Sequence, residues 1–197
     1  MTTEEKQFFD RLSDNWDENE TQSTPETILE ILEPIGIRKG MNILDLGTGT
    51  GILIPYLSRS VGMQGHITAV DASEGMLKRA RHKYGFLENV SFSLLDFEAD
   101  EIEGQFDLIF LYSVYPHLHY PQQTLKNLFD DNLKPGGKII IAFPSDESFI
   151  NNIHRERKAE SDLLPSPPAL AERLAEWGFN SSVVLNDKRH YLVTIQK

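Results

Sequence analysis

Apolar positions in the first forty residues recur at helical spacing. Phe8, Phe9, Leu12 and Trp16 fall on one face, and Ile28, Leu29, Ile31, Leu32 and Ile35 on a second. Two helices are predicted there, the second capped by Ser23 or Thr24 ahead of Pro25 and Glu26 and closed by Gly36. From Ile43 onward the texture changes. Short apolar runs at 43–46, 67–70, 90–95, 106–112 and 138–143 alternate with amphipathic stretches at 52–60, 73–84 and 121–133. Runs so short and so uniformly apolar read as strands covered on both faces, and their alternation with helices predicts a parallel sheet with right-handed crossovers. Leu-Lys-Pro-Gly-Gly at 133–137 reads as an exit turn. A helix at 169–177 follows Pro165-Ser-Pro-Pro168 and stops at Gly178. Runs 182–185 and 191–195 are then separated by residues 186–189 alone, too few for a parallel crossover, so they form an antiparallel pair. The predicted class is α/β: a doubly wound, mostly parallel seven-stranded sheet with an antiparallel C-terminal hairpin.

Composition narrows the possible partners. The chain has 197 residues, enough for one sizeable core, with 40% hydrophobic and 25% charged residues, an ordinary balance that excludes a low-complexity or disordered polymer. Nineteen basic against 30 acidic side chains give a formal charge of -11, a field that repels phosphate backbones and anionic lipid, so neither nucleic acid nor membrane is an expected partner. The lack of cysteine removes disulfides, thiolate metal sites and thiol nucleophiles. No apolar stretch approaches the length of a membrane span and the start lacks a secretory pattern, so a cytoplasmic location is expected.

Candidate chemistry gathers after the first strand. Asp45-Leu-Gly-Thr-Gly-Thr-Gly51 joins a buried strand to a helix, where glycines let backbone approach a nucleotide closely. Asp71 ends the next strand, 20 residues past Gly51; a carboxylate there can accept from both hydroxyls of a ribose, or cap the helix that starts near Ser73. Asp96 and Phe97 follow the third strand, where an acid can accept from an adenine amino group and a ring can cover its face. The strict dinucleotide fingerprint is broken, because Ile52 stands where the third glycine belongs, and no Walker lysine is present. The acidic set Asp45, Asp71 and Asp96 suits a ligand with a positive centre.

On these motifs, with Met76, Phe106-Asp-Leu-Ile-Phe110 and the Pro-Gly-Gly segment, residues 43–143 resemble the core of the class I S-adenosylmethionine-dependent methyltransferases, whose fold is Rossmann-like. The resemblance implies a single domain with a helical cap over 1–36 and a cofactor-binding core over 37–197, in which 112–120 and 146–168 face the acceptor. It implies that Asp45, Gly47, Thr48, Gly49 and Gly51 line the methionine end of S-adenosyl-L-methionine and that Asp71 holds the ribose. Ala72, Met76, Asp96 and Phe97 would surround the adenine, with Tyr112 near the sulfonium. The stretch from Phe9 to Asp17 resembles the segment that covers the active site in the small-molecule branch containing the quinone C-methyltransferases, which makes Trp16 a lid candidate or an ordinary packing residue.

Methyl transfer from a sulfonium is an in-line displacement, so alignment and water exclusion suffice unless the acceptor carries a proton. The loop 112–120 holds the remaining candidates: Ser113, Tyr115 and His117, with His154 joining from beyond the fifth strand, as acceptor contacts. His117 is either the base or a structural hydrogen-bonding residue. Where the branch resembled here has two adjacent histidines, Pro116 replaces the first. An extended loop would point His117 and His119 the same way, towards a conceivable metal site with His154; lacking a patterned carboxylate, no metal is assigned. Residues 147–160 form either a flap over the acceptor, with Phe149, Ile150 and Ile153 inward and Arg155 and Arg157 attracting an anion, or a solvated connecting helix. The expected activity is methyl transfer to a small molecule at carbon, nitrogen or oxygen. The rivals are an NAD-dependent oxidoreductase and a non-catalytic cofactor-binding protein on the same fold.

Overall fold

A computed structural model describes residues 1–19, 22–156 and 163–197. Seven strands form one sheet: β1 Asn42–Leu46, β2 His66–Asp71, β3 Val90–Leu94, β4 Phe106–Tyr112, β5 Leu133–Phe143, β6 Asn180–Asn186 and β7 Tyr191–Gln196. Their order is β3-β2-β1-β4-β5-β7-β6. Pairs among β1 to β5 are parallel, whereas β7 runs antiparallel to both β5 and β6. The order reverses between β1 and β4, the place where an open α/β sheet leaves a crevice beyond its strand ends.

The helices are α1 Thr3–Leu12, α2 Trp16–Asn19, α3 Pro25–Leu32, α4 Ile54–Val61, α5 Glu74–Tyr84, α6 Pro121–Asn127, α7 Glu147–Glu156 and α8 Pro167–Glu176. Alternation along the central strands explains the uniformly apolar runs. Ile43, Leu108, Phe110 and Ile140 pack with Ile28 and Ile31 of α3 and Leu57 of α4. Leu44, Ile109, Leu111 and Ile141 pack on the opposite side with Leu125 of α6 and Leu170 and Leu174 of α8. Each strand therefore buries both faces. Local capping sets the helix starts: the Thr24 side chain accepts from Thr27 N ahead of Pro25, and Ser73 accepts from Met76 N.

Three expectations need correction. Residues 121–133 are not one α-helix, because α6 ends at Asn127 and a π-helical turn, Leu128–Asn132, follows. Nor do residues 133–137 leave the sheet. Leu133 already pairs with Phe106 and Lys138 with Leu108, so Pro135 and the two glycines form an irregularity inside β5. The N-terminal 36 residues also divide. α1 buries no residue fully, whereas α3 is a layer of the core through Ile28, Ile31 and Leu32. Among the described residues, no helix is long and apolar enough to cross a membrane.

Candidate functional site

A cleft enclosing about 970 Å³ of unfilled space, mouth included, opens beyond the carboxyl ends of β1, β2 and β4. Its floor is the turn after β1, where Gly47, Gly49 and Gly51 all take positive φ values of 66°, 56° and 87°. A Cβ on Gly47 would lie 2.5 Å from Val114 Cγ2, so this turn can sit against the loop after β4 only with glycine there. Thr48 anchors the turn twice: its amide donates to Val70 O at 2.9 Å, and its hydroxyl donates to Asp45 Oδ2 at 2.6 Å.

Asp71 ties the turn to the next strand–helix junction. Gly49 N donates to its Oδ2 and Ser73 N to its Oδ1, each at 2.8 Å. The carboxylate lines the cleft, and its two oxygens retain lone pairs beyond the two that these amides use. The choice between ribose ligand and helix cap is thereby narrowed, because the side-chain cap of α5 is Ser73. Burial pushes Asp71 up to about 6 against the opposing amides of Ser73, Gly49 and Ala72, and the nearby Asp10 charge pushes the same way. Burial also drives Asp45 up to about 7, opposed by the Thr48 hydrogen bond and assisted by the charge of Asp71.

The far end of the cleft holds Asp96, Phe97 and Glu98, with Ala72 and Met76 beside them. Asp96 already has partners: Lys6 Nζ lies 3.0 Å from Oδ2, and the Met1 amino group lies 3.2 and 3.0 Å from the two oxygens. Burial raises the Asp96 pKa, but these hydrogen bonds and the ammonium charge carry the net shift below the ordinary carboxylate value. Lys6 of α1 and the Met1 amino group just ahead of that helix thus both pair with Asp96.

Phe9 and Trp16 form the upper wall, with ring centroids 5.8 Å apart. Phe9 also meets the His117 ring edge-on at 5.6 Å. Tyr112, Ser113 and His117 line the cleft beside them; the Tyr112 hydroxyl lies 2.9 Å from the Ser23 hydroxyl, and Ser113 carries a left-handed φ of 58°.

Other expected positions lie off the wall. Gly51 faces Ile54 and Tyr84, either of which a Cβ there would meet at 2.9 Å. Tyr115 is buried in the core, with the Arg173 guanidinium the polar group facing its hydroxyl. His154 is buried on α7 behind His117, with rings 5.3 Å apart. The extended-loop expectation fails because Tyr115–His117 is a 3-10 turn. His119 consequently points elsewhere, its ring nitrogens 3.0 Å from Glu98 and 3.3 Å from Glu5, and the three histidines do not converge. On α7 Asn151 and His154 are buried and Ile150 packs against the core, whereas Phe149 is 40% exposed and does not join that face. Arg155 donates to Asn152, and Arg157 lies outside the described residues.

Sequence reasoning missed Phe9, Ser23, Val114 and Glu98 on the wall. The spacing of Phe9 and Trp16 on one helical face was a usable signal for the first. The pairing of Ser23 with Tyr112 had none, being a contact across 89 residues. What remains is a deep, acidic floor with an aromatic roof, suited to a ligand with hydroxyl donors and a positive centre next to an apolar one.

Comparisons agree with that geometry. A family model described as "Methyltransferase domain" matches residues 37–194. The ubiquinone/menaquinone biosynthesis C-methyltransferase UbiE of Yersinia enterocolitica is 34% identical over 110 residues, covering 54% of this chain and 43% of that protein. The chain therefore spans less than half the length of that curated relative. A solved SAM-dependent methyltransferase from Aquifex aeolicus superposes with a TM-score of 0.69 at 27% identity, covering 86% of this chain and 88% of the other. The DhpI–SAH complex superposes with a TM-score of 0.74 at 22% identity over 96% and 93% of the two chains, a likeness of fold.

Proposed function

The chain belongs to the methyltransferase-domain family, and on that premise we propose that it transfers a methyl group from S-adenosyl-L-methionine to a small, largely apolar acceptor. The observation that carries the cofactor reading is Asp71: a buried carboxylate at the end of β2, clasped by the amides of Gly49 and Ser73 and open to the cleft. Two ribose hydroxyls can donate to its remaining lone pairs, and they offset the burial that pushes the group up to about 6. The name of the Aquifex structure, a SAM-dependent methyltransferase, supports the same donor.

When bound, S-adenosyl-L-methionine would supply an electrophilic methyl group on its sulfonium, leaving S-adenosylhomocysteine once the methyl has passed to the acceptor. The chain's own residues align the reactants and exclude water. Asp45 and the turn Gly47–Thr48–Gly49 present carboxylate and backbone to the amino-acid tail. Met76, Ala72 and Phe97 border the base. Phe9 and Trp16 close the aromatic roof over the acceptor side, where water would otherwise compete. His117, on that wall, takes the acceptor's proton when the acceptor carries one.

The acceptor class rests on the aromatic wall formed by Phe9, Trp16, Phe97 and Tyr112, and on the name of the UbiE relative. Incubation with methyl-labelled donor and a panel of quinols, phenols and small amines tests it, with mass spectrometry reading the methylated atom. Label transfer to a flat apolar acceptor supports the reading. Transfer confined to charged, aliphatic acceptors contradicts it.

A further inference from the structure

Residues 1–17 reach over the cleft through Met1, Phe9 and Trp16, and besides the Phe9–His117 ring contact a series of polar contacts holds them there. α1 has no fully buried residue. Glu5 reaches His119, Lys6 reaches Asp96, Asp14 pairs with Arg79, and Asp17 pairs with Lys83 and accepts from the Thr50 hydroxyl. Several of these are exposed ion pairs, individually worth little. One contact differs in kind. Asp10 Oδ1 accepts from the Ser73 hydroxyl at 2.6 Å and from Gly75 N at 2.9 Å, so an ionised carboxylate takes a hydroxyl and an orphan amide at the start of α5. The same Ser73 donates its own amide to Asp71. The docking is also close: a Cβ on Gly75 would meet Ser13 Oγ at 2.8 Å and the Asp10 Cα and carbonyl oxygen at 3.2 Å.

We propose that Asp10 is a positioning residue of the cofactor site, latching the N-terminal cap onto Ser73 and Gly75 so that cap closure and retention of the nucleoside on Asp71 are coupled. The inference rests on the cofactor reading above and adds to it the residue that controls entry and release. Phe9 and Trp16, which roof the cleft, flank Asp10 on the same segment; losing the latch frees both together. Asp10 touches no ligand in this scheme and acts through Ser73.

Three variants separate the latch from a general packing role. Asp10→Ala removes the acceptor, Asp10→Asn keeps the amide oxygen able to accept both bonds, and Gly75→Val wedges the cap away with Asp10 intact. Three measurements are made on the full chain: hydrogen exchange of residues 3–17 without ligand, the dissociation rate of S-adenosylhomocysteine chased by excess S-adenosylmethionine, and steady-state kinetics in the donor. Asp10→Ala and Gly75→Val should each speed cap exchange and product release by about tenfold, the scale of hydrogen bonds to a charged acceptor. KM for the donor should rise with kcat changed less than about twofold, and Asp10→Asn, which keeps an accepting oxygen but not the charge, should restore part of the loss. Unchanged exchange in both disruptive variants overturns the latch. Faster exchange with unchanged release overturns the coupling. If Asp10→Ala does not fold, Gly75→Val decides alone. Failure of the wild-type chain to bind S-adenosylhomocysteine overturns the cofactor reading itself, and is distinguishable because the exchange measurement needs no ligand.

Discussion

Gly49 and Asp71, 22 residues apart, are joined by a 2.8 Å hydrogen bond from the amide of one to Oδ2 of the other. The bond makes the glycine turn and the end of β2 one unit, so Asp71 serves both the shape of the floor and the ligand. Asp71→Ala should therefore weaken S-adenosylhomocysteine binding by about 1 to 3 kcal/mol, roughly fivefold to 150-fold in Kd. It should also lower the melting temperature of the ligand-free protein. Isothermal titration and thermal unfolding of the same preparation check both halves; unchanged affinity removes Asp71 from the site.

Asp71 and Asp45 give opposite pH dependences for the fold and for binding. Both carboxyls sit above their unfolded value, at about 6 and about 7, because burial penalises the charged form. The folded state therefore binds more protons than the unfolded one between pH 4 and 7. Their contribution to ligand-free stability is fully present below about pH 4 and is lost as pH rises through 6 and 7. Hydroxyl donors favour the ionised carboxylate, so S-adenosylhomocysteine affinity should instead rise from pH 5 to pH 7. From pH 5 to pH 7 the melting temperature of the ligand-free protein should fall while S-adenosylhomocysteine binds more tightly, and Asp71→Asn should flatten the binding profile and lessen the slope of the stability profile, the remainder belonging to Asp45.

Gly47 carries a steric prediction. Its φ of 66° and the 2.5 Å approach of Val114 to the position of a Cβ make Gly47→Ala destabilising by about 1 to 3 kcal/mol. Adding Val114→Ala should recover part of that loss, because it removes the methyl that clashes, while the backbone strain persists. Denaturant unfolding of the two single variants and the double variant measures the coupling; strict additivity contradicts the contact.

His117 separates proton transfer from packing. Its ring touches Phe9 on the roof and His154 behind. As a base, His117→Ala should lower kcat by about a hundredfold or more with donor Kd nearly unchanged. A structural role would raise the KM values and loosen the roof without a selective loss of kcat.

How far the chain could be read by eye follows from the range of each interaction. The parallel core was legible because both faces of β1, β4 and β5 are covered, leaving uninterrupted apolar runs. The start of β5 was not, since Pro135, Gly136 and Gly137 carry turn signals, yet Leu133 pairs with Phe106 before them. The glycine turn and Asp71 stood out because their spacing is local to one strand–helix–strand unit. No sequence signal singles out Asp10, Glu5 or Lys6; only the folded chain brings them to Ser73, His119 and Asp96. The divergence of His117 from His119 depended on a single tight turn that their spacing does not encode.

Equilibrium titration of the purified chain with S-adenosylhomocysteine tests the central claim most directly. The account predicts saturable one-to-one binding in the micromolar range that NAD at millimolar excess does not displace. An absence of heat or of any thermal shift at millimolar S-adenosylhomocysteine, or displacement by NAD, would contradict it.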